Sequence, residues 1–471
     1  MYDLVDDTIV AVSSPVGEAA RGIVRMSGPD TIRIADELFH AEDGSALRGR
    51  ESHRRVRGTL EIERDQPRVP AIVYLFKAPT SYTRQDLVEF HLPGSPLVLN
   101  LAVQRLLEAG ARGAQPGEFT ARAFVSGRLD LTEAEGVAAV IAARSDAQLA
   151  AANRLMHGAV SQRVLALGER LADLLSLVEA DIDFSEEEIT FITAEELAAQ
   201  TSGLRAELRQ IREQAISTEQ LAVMPTVALV GPPNVGKSSL LNALSGVDRA
   251  ICSPVPGTTR DMLSAPLELR RCETMLVDAA GLGRTDTALD RQAHALACKI
   301  ASEADVLVFV VDLAAEPPAP QFELLAGLPE RRGTVVYVAN KVDLLTREEI
   351  GVRCEGLRVQ RGELIWPVSA VTGAGLDRLR GLIESKLDAP EVDRGRELLA
   401  LNARHRRAIE EAEAALQRAE AMCVANPDIF GSVEILACEL REAADQLAVI
   451  TGAVHPEDLL SRVFGRFCIG K

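Results

Sequence analysis

The run from Thr226 to Asn242, TVALVGPPNVGKSSLLN, holds the densest chemistry in the chain. An apolar β-type stretch (Val227 to Val230) ends at Gly231, and Gly231-Pro-Pro-Asn-Val-Gly236-Lys237-Ser238 fits the G-x-x-x-x-G-K-[ST] phosphate-loop pattern. A helical sequence follows at once. Such a loop aims backbone N–H groups and a helix N-terminus at phosphates, and glycine lets the backbone come close enough. Asn234, Val235, Gly236, Lys237, Ser238 and Ser239 are expected around the phosphates. Lys237 reaches the β- and γ-phosphates as a catalytic cation, and Ser238 ligates magnesium.

Downstream residues extend that site. Asp278-Ala279-Ala280-Gly281 ends a second β-type run and supplies a D-x-x-G that meets magnesium and the γ-phosphate. Between them, Gly257-Thr258-Thr259 offers Thr259 as a second hydroxyl for magnesium. Asn340-Lys341-Val342-Asp343 follows the apolar run Thr334 to Ala339. The Asp343 carboxylate can accept from the ring N–H and amino group of guanine together, a pairing adenine cannot offer. Ser369-Ala370-Val371 follows another short apolar segment, where a backbone N–H can bond the guanine oxygen. These elements, in this order, imply a guanine-nucleotide site.

The whole chain sets the frame for that site. A length of 471 residues suggests about three domains, and 47% hydrophobic residues leave ample material for buried cores. The acidic N-terminus lacks the features of an export signal, and no apolar run is long enough to span a bilayer. The sequence therefore places the protein in the cytoplasm, away from membranes. Seven scattered cysteines without metal spacing predict reduced thiols, most of them core filler. A formal charge of −18 argues against broad, unassisted binding to nucleic acid.

Composition divides the chain into segments. Residues 1–127 alternate β-like runs (Thr8 to Val12, Gly22 to Met26, Val56 to Ile62, Ala71 to Phe76) with helical ones (Thr31 to Leu38, Leu97 to Glu108), as an α+β domain does. By themselves Arg25 and Glu89 read as ordinary surface charges. Residues 128–219 turn to Ala, Leu, Glu and Arg at helical spacing, and Thr193-Ala-Glu-Glu196 is a capping-box start. Residues 220–388 hold the nucleotide motifs. Helical composition returns over 389–471, which predicts one discontinuous bundle. The expected fold is thus a multidomain α/β plus α architecture. A P-loop, Ras-like GTPase domain is inserted in a split helical bundle and preceded by an α+β domain. The basic run Arg404-His405-Arg406-Arg407 reads either as a solvated helix face or as an RNA contact.

The full length resembles the MnmE (TrmE) family of tRNA-modifying GTPases. Pro116 to Phe124 (PGEFTARAF), Arg128-Leu-Asp-Leu131, Ala134-Glu135 and the tail Phe467-Cys468-Ile469-Gly470-Lys471 carry the resemblance with the nucleotide motifs. It implies a folate-binding, dimer-forming N-terminal domain, with Arg25, Glu89, Arg128 and Lys471 as contacts to a formyl- or methylene-tetrahydrofolate. Arg128 stands where the family usually has lysine. It also implies GTP hydrolysis coupled to modification of the tRNA wobble uridine, carboxymethylaminomethyl or aminomethyl at C5, with glycine or ammonium as nitrogen source. The implied partner is an MnmG (GidA)-type flavoprotein that brings FAD and NADH, in a heterotetramer built on the homodimer. Cys468 is the family's tail thiol, to be weighed as reactive or simply free.

The same resemblance implies a potassium ion beside the phosphates in place of an arginine finger. Asn234 is its side-chain ligand, and the main chain of Ser253, Val255 and Thr258 completes the cage, with Pro254, Pro256 and Gly257 in the same loop, when two GTPase domains pair. The family's catalytic glutamate aligns with Asp290, one methylene shorter, which implies slower hydrolysis or a bridging water. The family's D-T-A-G has Ala279 in place of threonine, and its G-H-G-G is altered to Leu92-Pro93-Gly94-Ser95. Two alternatives stay open on the residues alone: a ribosome-assembly or RNA-binding GTPase, and a non-enzymatic nucleotide-gated scaffold.

Overall fold

The structure is a computed structural model that describes residues 6–15, 17–63, 67–184, 190–217, 224–246, 251–252, 263–279, 298–315, 333–361, 364–387, 399–425, 433–454, 460, 463–465 and 467–470. The chain forms two compact units: residues 1–142, 152–215 and 399–471, and residues 143–151 and 216–398.

The first unit opens with β1 (Ile9–Val12), β2 (Ala19–Ser27), α1 (Thr31–Leu38), β3 (Phe39–Ala41), β4 (Arg54–Leu60), β5 (Val69–Phe76), β6 (Leu87–Gly94), α2 (Pro96–Glu108), β7 (Arg112–Gly113) and α3 (Glu118–Val125). The strands form one sheet in the order β3-β4-β5-β6-β2-β1-β7, antiparallel except where β1 meets β7. In β5, Ala71, Val73 and Leu75 alternate inward, the period of a half-buried strand. Helix α1 buries Thr31, Ile34, Ala35 and Leu38 at helical spacing. Its Ile34 and Leu38 join Leu99 and Leu106 of α2 and the inward strand residues in one core.

The PGEF-TARAF segment explains itself here. Glu118, nearly buried, accepts from Arg112 Nη2 at 2.6 Å, Arg122 Nη2 at 3.0 Å and the Gln115 amide at 2.8 Å. Arg122 also donates to the Asp7 carbonyl at 2.8 Å and to Gln85 Oε1 at 3.0 Å. A glutamate and arginine four residues apart on α3 therefore tie the start of β1 to the loop before β6. The guanidinium groups hold the Asp7 and Glu118 carboxyls below their usual range against the opposing effect of burial.

Helices follow: α4 (Leu131–Ala142), α5 (Asp146–Met156), α6 (Ala159–Asp183) and α7 (Ala194–Glu213), then the short strand β8 (Ala215–Ser217). Thr193 caps α7 in the expected box, its Oγ1 accepting from the Glu196 amide at 3.2 Å.

The second unit contains β9 (Thr226–Val230), α8 (Lys237–Ser245), β10 (Ile251–Cys252), β11 (Leu263–Glu268), β12 (Glu273–Asp278), β13 (Val306–Asp312), β14 (Thr334–Asn340), α9 (Arg347–Arg361), β15 (Ile365–Pro367) and α10 (Leu376–Leu387). Its sheet runs β10-β11-β12-β9-β13-β14-β15, with β12, β9, β13, β14 and β15 mutually parallel. Near-continuous apolar sequence in β9 and β13 fits strands buried on both faces. Residues 143–151 belong to this unit: Ser145 bridges Cys272, and Arg271 Nε lies 3.0 Å from Asp146 Oδ2.

The first unit resumes with β16 (Leu399–Leu401), α11 (Ala403–Ala425) and α12 (Val433–Thr451). Val164, Leu167, Leu171 and Leu174 of α6, Leu204 and Leu208 of α7, Ala412, Ala415 and Ala419 of α11 and Leu440 and Leu447 of α12 share one core. Its helices come from both sides of the second unit in the sequence, as a discontinuous bundle requires.

The basic run at Arg404 departs from both of its sequence readings. His405 is fully buried, and the Arg404 side chain is only 14% exposed. Arg404 Nη2 lies 2.8 Å from Glu135 Oε2 of α4, His405 Nε2 lies 3.0 Å from the same oxygen, and Asn402 Nδ2 donates to it at 2.9 Å. Arg404 Nη1 also donates to the Ile450 carbonyl at 3.1 Å, so one carboxylate and one guanidinium join α4, α11 and α12. Only Arg407 stays on the surface, beside Glu411. Despite the cost of burial, these partners hold the Glu135 carboxyl down at about 2, against an ordinary 4.5, while burial pushes His405 below its usual value.

A depressed carboxyl contributes stability above its unfolded value and loses it as pH falls through the folded one. Glu135 should therefore contribute stability at neutral pH that disappears as pH falls from about 4.5 to 2. His405, kept neutral in the fold, adds an acid penalty that begins in the ordinary histidine range. Glu135→Gln is expected to lower the urea midpoint of the helical signal at pH 7 and to flatten its decline across that acid window. An unchanged midpoint at pH 7 would show that the buried charge contributes nothing net.

The cysteines also differ from expectation. Cys423 is buried, Cys298 and Cys354 pack, partly exposed, against the core of the second unit, Cys272 is partly exposed, and Cys438 and Cys468 are exposed. Three of these six thus fill or flank a core and three do not. Among the described residues no helix is long and apolar enough to cross a membrane.

Candidate nucleotide site and tail-docking site

The phosphate loop joins β9 to α8. Gly236 has φ +91°, and a Cβ there would sit 2.4 Å from Asn340 Nδ2, so only glycine fits both the backbone and the approach. Asn234, on the exposed lip of the loop, also takes a left-handed φ of +64°. Lys237 is folded inward, donating to the Gly231 and Pro232 carbonyls at 3.2 and 2.9 Å. Burial lowers the pKa of its ammonium, opposed by Asp278. Val235 packs into the core, while Ser238 and Ser239 are exposed at the start of α8.

Ser238 Oγ donates to Asp278 Oδ2 at 2.5 Å, as the parallel pairing of β9 with β12 brings the two loop ends together. Asp278 Oδ1 is buried without a hydrogen-bond partner, and burial raises the carboxyl's pKa. A hydroxyl beside a carboxylate with one oxygen unsatisfied suits magnesium, which takes hard oxygen ligands. Ala279 is fully buried in an apolar cluster, and its amide donates to the Leu229 carbonyl at 3.1 Å. An alanine there leaves no hydroxyl in need of a partner.

The base-reading residues form a second layer. Asn340, 2% exposed, donates from Nδ2 to the Val235 carbonyl at 2.8 Å and accepts at Oδ1 from the Ala370 amide at 3.1 Å. It is a tie between the phosphate loop and the Ser369–Ala370 loop. The Ala370 amide expected at the guanine oxygen is thus engaged by Asn340 here. Ser369 Oγ donates to Asp343 Oδ1 at 2.5 Å and accepts from the Thr372 amide at 3.1 Å, which orients the carboxylate. Val371 is exposed beside it. Lys341 Nζ donates to the Asn234 carbonyl and to Asp312 Oδ2, both at 2.7 Å. Sequence reasoning passed over Asp312, whose one signal is that it ends an apolar strand as Asp278 does. Ser253, Pro254, Val255, Pro256, Gly257, Thr258, Thr259, Ala280, Gly281 and Asp290 lie outside the described residues.

In the other unit the tail docks on the first sheet. Pro116 and Ile469 form an antiparallel bridge, and the Gly117 amide donates to the Cys468 carbonyl at 3.4 Å. Gly470 has φ +96°, with its Cβ position 2.1 Å from the Val12 carbonyl. Its own carbonyl accepts from Ser13 Oγ at 2.6 Å and from Arg25 Nη1 at 3.4 Å. Arg25 and Glu89 are paired at 2.8 Å, each side chain 18% exposed, so neither is the ordinary surface charge its local sequence suggests. Glu89 Oε2 faces His91 Nε2 at 3.5 Å, and that nitrogen is buried without a hydrogen bond. Phe464 and Phe467 anchor the tail against Leu131 and Ala134. Cys468 and Arg128 are exposed; Lys471 is not among the described residues.

A G-K-[ST] loop, a D-x-x-G strand end and an N-K-x-D strand end converge at the C-terminal ends of parallel strands, where ligands of α/β sheets bind. This defines a P-loop GTPase inserted in a helical domain. The family model for the MnmE helical domain matches residues 131–468, and that for the GTP-binding protein TrmE N-terminus matches residues 8–128. The tRNA modification GTPase MnmE of Aquifex aeolicus is 36% identical over 465 residues, 99% of this chain and 100% of that one. Those of Thermus thermophilus and Pseudomonas paraeruginosa are 37% identical over 465 residues and 38% over 468, each covering 99% of both chains. The chain belongs to the MnmE (TrmE) family.

Proposed function

We propose that this GTPase couples GTP hydrolysis to modification of the wobble uridine of tRNA, adding an aminomethyl-type group at C5 with an MnmG-type flavoprotein partner. The observation that carries the reading is the pairing, in one chain, of the nucleotide site with a tail whose Cys468 segment is held beside Arg25 and Glu89. What favours it over ribosome assembly is similarity to tRNA modification GTPases along 99% of the chain.

In hydrolysis the loop amides and Lys237 hold the phosphates, and Lys237 must leave the Gly231 and Pro232 carbonyls to do so. Ser238, Asp278 and Thr259 would hold magnesium, which would supply neutralising charge beside the phosphates. Asp290 orients the attacking water. Asn234, with the main chain of Ser253, Val255 and Thr258, would hold potassium when two GTPase domains pair. At the tail site, a tetrahydrofolate one-carbon donor fits the charges present: Arg25, Arg128 and Lys471 complement its carboxylates and oxo group, while Glu89 and the unsatisfied His91 nitrogen can meet its amino groups. That donor supplies the carbon of the added group; FAD and NADH enter with the partner.

The test is mass spectrometry of wobble nucleosides from cells with and without the chain. Loss of the C5-modified uridine, restored by the intact gene, is expected; an unchanged nucleoside profile overturns the reading. Purified protein should also turn over GTP faster in potassium than in sodium, increasingly so at higher protein concentration. Equal rates would remove the potassium cage while leaving the tRNA reading to the nucleoside result.

A further inference from the structure

Among the described residues only four non-glycine positions have left-handed φ, and two of them, Asn234 and Lys341, face each other in the nucleotide site at +64° and +66°. Such a backbone costs roughly 1 kcal/mol or more and persists only when its surroundings hold it. The bond from Lys341 Nζ to the Asn234 carbonyl joins the two strained residues directly.

What aims that ammonium is Asp312. Asp312 ends β13, level with Asn340 across the parallel pair, and the Leu313 amide donates to the Asn340 carbonyl at 3.1 Å. This register places its carboxylate beside the residue following Asn340, where Oδ2 takes the second Lys341 bond. Oδ1 accepts from the Ala314 amide at 2.9 Å, which fixes the rotamer. A lysine has long side-chain freedom, and a carboxylate held by its own turn removes much of it.

We propose that Asp312 is a positioning residue for guanine-nucleotide binding: through Lys341 it holds the Asn234 lip of the phosphate loop in register with the base-reading strand. It touches no nucleotide. Its loss frees the lysine, relaxes the strained lip and opens the loop to nucleotide release. The inference rests on the GTPase reading of the site and on nothing at the tail.

The alternative role, a cap on the turn at Ala314, separates cleanly by substitution. Asp312→Asn keeps an oxygen for the Ala314 amide but removes the charge from Lys341; Asp312→Ser does the same should the amide misfold. Release of a fluorescent GDP analogue from the full chain is expected to quicken roughly tenfold in Asp312→Asn, the scale of one charge-assisted hydrogen bond, with the melting temperature nearly unchanged. Asp312→Glu, which retains charge, should recover most of the wild-type rate. In a Lys341→Met background the Asp312→Asn change should add less than about twofold. Release within about twofold of wild type in Asp312→Asn, or the same acceleration in both backgrounds, overturns the proposal. The measurement uses no tRNA, partner or potassium, so failure of the tRNA-modification reading leaves it standing.

Discussion

Asp278→Asn is expected to lower GTP turnover on the order of 1000-fold at saturating magnesium, while raising the melting temperature of the nucleotide-free GTPase unit by a degree or two. The opposite signs share one cause. Asp278 is 8% exposed, its Oδ1 has no partner, and burial raises its pKa, so the ionised carboxylate is disfavoured until a cation arrives. A raised folded pKa means that the charged form costs stability as pH rises through it. An amide of the same shape removes that cost and still accepts from Ser238 Oγ, yet it is a far weaker magnesium ligand. Magnesium affinity of the unaltered protein should accordingly rise with pH until the carboxyl is fully ionised. Calorimetric magnesium titrations and melts on both proteins decide the matter. A variant that melts lower and keeps its turnover would show that Asp278 is a structural carboxylate rather than a metal ligand.

How much of this was legible in the sequence depends on whether the chemistry is contiguous. The phosphate loop must present successive amides, so Gly231 to Ser238 had to stand together, and the base reader likewise at Asn340 to Asp343. Residues recruited across the sheet leave no such trace. Asp312 meets Lys341 because β13 and β14 pair in a particular register, and register is not written in either strand alone. Arg404 reads as a surface charge for the same reason, since its partner Glu135 lies 269 positions away. The strands β5 and β2 announced themselves as β-branched or apolar runs, whereas β6 hid its character behind Glu89, His91 and Pro93. Glu89, with His91 beside it, faces the tail site through Arg25, and a site interrupts the pattern that marks a strand. The helical spacing over α6 and the capping box of α7 were readable because burial of one face needs nothing but periodicity.

The second large effect concerns base choice. Asp343→Asn should shift the ratio of GTP to XTP affinity by at least about 100-fold toward XTP, because a site built around hydrogen bonds rejects a ligand that leaves its groups unpaired. The carboxylate can only accept, and guanine offers it a ring N–H and an amino group. Xanthine carries a carbonyl where guanine carries the amino group, so carboxylate and carbonyl oppose each other as two acceptors. An amide resolves the clash, since Nδ2 donates to the xanthine carbonyl while Oδ1 still accepts. The structure adds a reason for the swap to be tolerated: Ser369 Oγ donates to Asp343 Oδ1 at 2.5 Å, and the amide oxygen can take that bond in turn. Ser369 is fully buried and itself fixed by the Thr372 amide, so it should set which way the new amide points. Ser369→Ala in the Asp343→Asn background is then expected to blur the XTP preference by letting the amide flip, without restoring GTP. Competition of the two nucleotides against a fluorescent GDP analogue measures both steps. Retained GTP preference in Asp343→Asn would mean that the base is read elsewhere, and an unchanged XTP preference on removing Ser369 would mean that the amide is oriented by the base alone.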